Sequence, residues 1–193
     1  MAPPFVLPLA QCTDPSLVGG KAAGLARLLA AGFPVPDGCC VTTSAYGHFM
    51  QGIGLVPSER WHRALRRSGD DRKQELQHCL DMIRRVELAT LVAEVWEALP
   101  RMAGTEERRW ALRSSATNED MERASAAGLY RTVLGAEQAR LADAITDIWA
   151  SAWDGRVLDY MLASGNADGA PAMAIVIQPL LNVAVAGVAR QVP

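Results

Sequence analysis

Two stretches of this sequence combine residue types that can hold a phosphate, and a third lets a ligand or another lobe come close. The first, Gly19-Gly20-Lys21, stands directly ahead of a run of helix formers. Two glycines let the backbone come close to a ligand, and the first N–H groups of a helix favour an anion, to which a lysine adds a full charge. It is not a Walker loop, because Pro15 stands where that motif needs its first Gly and Ala22 where it needs Ser or Thr. A glycine turn before an exposed lysine would look the same. The second stretch is Arg113-Ser114-Ser115-Ala116-Thr117. A guanidinium at a strand end can grip two phosphate oxygens, with neighbouring hydroxyls and N–H groups completing a cradle. It can equally pair with Glu119 or Asp120. The third, Ala124 to Thr132 with Gly128 inside it, is a run of small residues that allows close approach of a ligand or forms a tight turn. His48, His62 and His78 have no partner at metal or triad spacing, so a surface or packing role is expected.

The elements that must position these residues read as mixed α and β. Phe5 to Leu9 is expected as a short strand or extended arm, with Asp14-Pro15-Ser16 as the turn that starts the next element. Leu17 to Ala31 has apolar residues at helical spacing, and Gly32 is placed to end it. Pro34 and Pro36 force extended backbone, Cys39 to Thr43 reads as a buried strand, and Ser44 is expected to cap a helix through Met50. Residues 51–58 read as linker. Two helices follow, Asp70 to Val86 and Leu88 to Leu99, the second ending at Pro100, and Met102 to Arg109 is polar loop. Trp110 to Arg113 reads as a short strand running into turn formers from Ser114 to Asn118. Leu129 to Leu134 is expected as a strand, and Ala136 to Trp153 and Arg156 to Leu162 as helices. Ala172 to Gln178 and Val183 to Val188 complete the pattern as a hairpin joined by Pro179-Leu180-Leu181-Asn182.

The bulk composition narrows the function classes. The 193 residues suit one domain or two small lobes, with a sub-lobe boundary expected near 100–110. With 19 basic and 21 acidic residues there is no positive excess to neutralise a nucleic-acid backbone, so no nucleic-acid partner is expected. Cys12, Cys39, Cys40 and Cys79 form no CxxC pair and read as small buried apolar residues in a reducing compartment. The N-terminus MAPPFVLPLAQC lacks basic residues and is broken by prolines, which fails as a signal peptide. No 18-residue apolar run is present to span a membrane, and a cytoplasmic location is expected.

In combination the stretches carry a resemblance. LVGGKAAGLARLLAAGFPVPDGCCVTTSAY (17–46) resembles the opening of the nucleotide-binding domain shared by pyruvate phosphate dikinase, phosphoenolpyruvate synthase and the rifampicin phosphotransferases. WALRSSATNEDMERASAAGLYRTVLG (110–135) resembles its second signature, at the right spacing. AIVIQPLLNVAVAGVA (174–189) resembles its paired strands, with Ala186 in place of the usual Ser, and WASAWDGRVLDYM resembles a family helix. The resemblance spans nearly the whole chain.

It implies an α+β, ATP-grasp-like fold, here its N-terminal part, with a mixed sheet and flanking helices. ATP is the implied ligand, in a phosphotransferase that moves a phosphoryl group via a histidine to pyruvate or a small-molecule acceptor. Carried over by position, Lys21 and Arg113 would contact the phosphates in the catalytic role, with Gly19, Gly20 and Ser114 beside them. Gly128 and Thr132 would cover the phosphates, and Gln178, Leu180 and Leu181 would border the adenine. Magnesium is implied as well, but the acidic residue and Gln that hold it in this family, and the phosphorylatable histidine, have no counterpart in this sequence. They are expected on a downstream or separately encoded partner. The chain is therefore expected to be an incomplete portion that does not turn over alone; the alternative is a non-catalytic nucleotide-binding or interaction module, a truncated or degenerate relative.

Overall fold

The computed structural model describes residues 3–99, 109–117, 129–165, 167, 169–170 and 172–182. Their strands are β1 (Val6–Pro8), β2 (Cys39–Val41), β3 (Trp110–Ala116), β4 (Thr132–Ala136) and β5 (Met173–Pro179). Their helices are α1 (Pro15–Ala30), α2 (Thr43–Gly52), α3 (Pro57–Leu65), α4 (Gly69–Ile83), α5 (Ala89–Ala98), α6 (Leu141–Ser151) and α7 (Gly155–Ala163). The sheet order is β1-β2-β5-β3-β4. The α+β class holds, and every described pairing is antiparallel where a mixed sheet was expected. The expected strand Val183 to Val188, the boundary at 100–110 and the segment holding Glu119, Asp120 and Gly128 lie outside the described residues, except for the positions 109 and 110.

β5 sits at the centre, and its Met-Ala-Ile-Val-Ile-Gln run is buried on both faces, as a central strand requires. Alternation sorts the sheet residues onto two faces. Cys39, Val41, Trp110, Leu112, Met173, Ile175 and Ile177 join a large core with residues of α2 to α7, including the buried Trp61, Trp149 and Trp153. Two of its indoles are fixed by hydrogen bonds: Trp153 Nε1 donates to the Tyr46 hydroxyl (2.9 Å), and Trp61 Nε1 to the Ala167 carbonyl (3.0 Å). Glu75, 5% exposed, ties α4 to α3 by accepting from Arg60 (3.0 Å) and to the connection between them by accepting from Arg67 (2.9 Å). On the other face Cys40, Ala174 and Val176 meet a smaller cluster with Val18, Ala22, Ala23 and Ala26 of α1. All four cysteines are buried and unpaired, and burial pushes the Cys39 thiol up to about 12.

Local signals explain most element ends. Asp14 caps α1 by accepting from the Ser16 N–H (2.9 Å), with Pro15 at the first helical position. At its other end Gly32 has φ +81°, Gly32 N–H donates to Leu29 and Phe33 N–H to Leu28, a Schellman closure. The cap of α2 is Thr42 rather than Ser44, its hydroxyl accepting from Ala45 N–H. The expected linker 51–58 is shorter: α2 runs to Gly52, and Pro57 opens α3. The expected turn from Ser114 is instead strand, because Ser114, Ser115 and Ala116 pair with Ile175, Ala174 and Met173. The strand expected at Leu129 begins at Thr132 and includes Ala136, which moves the following helix start to Leu141.

Candidate functional site

α1 is two helical pieces joined at Gly19, whose φ of 73° and ψ of 166° lie in a region essentially reserved for glycine. A second constraint acts at the same residue. A Cβ there would run into the Ser115 carbonyl of β3, so the glycine serves close contact with the sheet. The break restarts the helix at Gly20, so Gly20 and Lys21 stand at a fresh helix start inside what the sequence presents as one helix.

Ser115 closes this break. Its hydroxyl donates to the Val18 carbonyl (2.7 Å) and accepts from the Ala22 N–H (3.1 Å). Lys21 reaches the same strand, its ammonium donating to the Ser114 carbonyl. Ser114 itself lies on the face of Leu112, so what it turns toward Lys21 is its backbone oxygen, while the hydroxyl that meets α1 belongs to Ser115.

Arg113 lies opposite Val176 on β5 and Thr132 on β4. Directly opposed residues in antiparallel strands share a face, so Arg113, Ser115, Thr132 and Val176 all belong to the α1 side. Arg113 is half-buried, and among the described residues its guanidinium makes no ion pair or hydrogen bond; Thr132 is exposed. α1 covers β2, β5 and the Ser115 end of β3, while Leu134 on β4 remains 66% exposed. On α1 itself a shallow hollow of about 460 Å³ runs along Gly20, Lys21, Gly24 and Leu28.

The expected adenine-bordering residues lie at the end of β5. Gln178 is 6% exposed and donates through Nε2 to the Pro36 carbonyl (2.6 Å), which fastens the Pro-rich connection before β2. Leu180 and Leu181 are exposed (40% and 53%), with Leu180 N–H on the Arg109 carbonyl. From Val176, beside Arg113, to Leu180 the strand advances about 13 Å. The structure thus brings Gly19, Gly20, Lys21, Arg113, Thr132 and Gln178 to one side of the sheet, with Ser114 contributing its carbonyl and Leu180 and Leu181 following the end of β5; Gly128 lies outside the described residues. Sequence reasoning passed over the particular role of Ser115. Strand alternation from Arg113 would have put it toward α1, had the segment been read as strand.

Comparison with known proteins shows the family. Residues 15–192 match the family described as "Pyruvate phosphate dikinase, AMP/ATP-binding domain". Phosphoenolpyruvate synthase of Aeropyrum pernix is 35% identical over 89% of this chain and 22% of its own length. A probable phosphoenolpyruvate synthase of Methanothermobacter thermautotrophicus is 33% identical over 91% of this chain and 27% of its own. An uncharacterized phosphotransferase of Bacillus subtilis is 32% identical over 89% and 19%. The chain spans about a fifth to a quarter of the length of these relatives. With a match that runs from the N-terminal turn of α1 past β5, the chain belongs to the pyruvate phosphate dikinase AMP/ATP-binding domain family.

Proposed function

We propose that this domain holds ATP along the open half of the α1 face, with its phosphates between Lys21 and Arg113 and its base toward Leu180 and Leu181. The observation that carries the reading is the gathering of two cations from distant parts of the sequence at one place, Lys21 on the Ser114 carbonyl and Arg113 one residue before it. The guanidinium suits the bidentate grip of phosphate oxygens, and the lysine adds a point charge beside a helix start. Thr132, directly across from Arg113, offers a hydroxyl to the same oxygens. The advance along β5 to the exposed leucines provides an apolar border for a base at the distance of an extended nucleotide.

As the family resemblance implies, the phosphoryl group then passes via a histidine to pyruvate or another small acceptor; relatives named phosphoenolpyruvate synthase and phosphotransferase support phosphoryl transfer. Fixed cations around the transferring group supply electrostatic stabilisation, the main protein contribution to phosphoryl transfer. Among the described residues no three His, Cys, Asp or Glu side chains converge to hold a metal ion, and the open face presents cations that fit phosphate. Magnesium, which takes only one or two carboxylates beside substrate phosphates and water, would arrive with the nucleotide.

Isothermal titration with ATP tests the reading. Lys21→Ala and Arg113→Ala should each weaken binding by roughly ten- to a hundred-fold, the loss of one charge-assisted contact. Arg113→Lys should fall in between, because an ammonium cannot reproduce the fork. Unchanged affinity in both alanine variants sinks the site.

A further inference from the structure

Resting on that reading, the geometry points to Ser115 as a positioning residue for the phosphate-holding end of α1. In an unbroken helix the Ala22 N–H would bond to the Val18 carbonyl. The Gly19 break separates those two groups, and the Ser115 hydroxyl occupies the gap, accepting from one at 3.1 Å and donating to the other at 2.7 Å. A hydroxyl has the donor and the acceptor this needs. Ser115 is fully buried, so water does not compete for either bond. The insertion of a side chain into the i→i−4 ladder is a recognised cause of helix kinks, and here it comes from a strand more than ninety residues away.

The consequence is directional. Gly19 cannot carry a side chain against β3, Ser115 pins the residues on both sides of it, and Lys21 lies between the Gly19 break and the Ala22 anchor. The hydroxyl therefore fixes the angle at which Gly20 and Lys21 leave the sheet, and so the placement of the Lys21 ammonium beside Ser114 and Arg113. Ser115 touches no phosphate. It acts through Lys21.

The test compares Ser115→Ala and Ser115→Cys, in which a weak thiol replaces the hydroxyl, with wild type and with the double variant Lys21→Ala/Ser115→Ala. Binding of ATP and of adenosine is measured by titration, and amide hydrogen exchange is read without ligand. Ser115→Ala should lose about ten-fold in ATP affinity, one lost anchor converted by the usual relation, with adenosine affinity within about two-fold. In the Lys21→Ala background the same change should cost less than about two-fold, since the residue it acts through is gone. Exchange should accelerate at Gly20 to Ala23 and stay unchanged in α4 and α6. If Ser115→Ala does not fold, Ser115→Cys must show the same pattern at smaller amplitude. Equal losses for ATP and adenosine, additivity with Lys21→Ala, unaltered ATP binding or unaltered exchange at Ala22 would each overturn the proposal. If Lys21→Ala and Arg113→Ala weaken ATP while Ser115→Ala does not, only the role of Ser115 falls. If the two cation variants bind like wild type but exchange at Ala22 still accelerates, the nucleotide site falls and the helix clamp stands.

Discussion

One face of the sheet is closed by large side chains and the other by small ones. Toward α2 to α7 the strands meet Trp61, Trp149, Trp153, Tyr46 and Met50, all at or near zero exposure, with edge-to-face contacts between Tyr46 and Trp149 and between Trp61 and Trp153. Toward α1 the contact is made by Ala22, Ala23 and Ala26 against Cys40, Ala174 and Val176. Small residues bring the helix close and leave little apolar area to bury, so most of the hydrophobic stabilisation resides on the tryptophan side. The close approach lets a strand hydroxyl reach into a helix break, and the narrow coverage leaves Arg113, Thr132 and Leu134 open. On the proposed reading, stability and ligand contact fall on opposite faces.

Truncation on the closed face offers the sharpest way to break that division. Trp61→Ala should cost about 3–5 kcal/mol of stability, read by denaturant unfolding, because the indole is fully buried and its N–H is bonded. The ATP affinity of the fraction still folded should match wild type. A loss of affinity comparable to Lys21→Ala would show the two faces to be one energetic unit.

Gly19→Ala is the counterpart on the α1 face and should move both quantities. Forcing a side chain to φ 73° and into the Ser115 carbonyl costs about 2–4 kcal/mol by unfolding, from strain and overpacking together. ATP binding should fall below detection in the same titration, since the break, the serine clamp and Lys21 move together. Retained binding in a folded Gly19→Ala chain would mean that the close approach at Gly19 is only packing.

The smallest effect concerns the cap that anchors this helix. The Ser16 hydroxyl, then its N–H, hold the Asp14 carboxyl below the ordinary value of 3.8. A depressed carboxyl contributes fully above its unfolded value and loses that contribution as the pH falls through the lower folded value. The difference in melting temperature between wild type and Asp14→Ala should stay constant near neutrality and narrow below pH 3.8. A difference independent of pH would assign the cap to geometry without charge.

What could be read from the sequence follows a physical line. α1 was legible because its alanines and leucines have strong propensity and Gly32 marks its end, and β5 because a central strand is apolar throughout. The two cations were legible as chemistry, since lysine and arginine beside glycines and hydroxyls suit phosphate wherever they fold. The Gly19 break was legible only in part: two glycines ahead of Lys21 suggested a helix start, while the helical spacing from Leu17 ran straight through them and gave no sign of the φ. Ser114 and Ser115 read as turn formers, and pairing with β5 overrode that local preference. α3 went unread although Pro57 is a helix-opening signal, because Gly52, Gly54 and Pro57 cluster as they would in a loop.

The placement of β5 between β2 and β3 also bears on the order of folding. Its two neighbours are each joined to one outer strand, β1 or β4, and have no other described partner until β5 arrives. Cys40 meets Val176 only after nearly the whole described chain has been made. During synthesis the two pairs must wait as separate ribbons with open edges, and such non-local closure is slow and vulnerable to wrong pairing. The same strand that draws Arg113 and Gln178 to one side of the sheet is therefore the clasp that completes the fold, and a chain that stalls before Met173 would have neither a sheet nor a site.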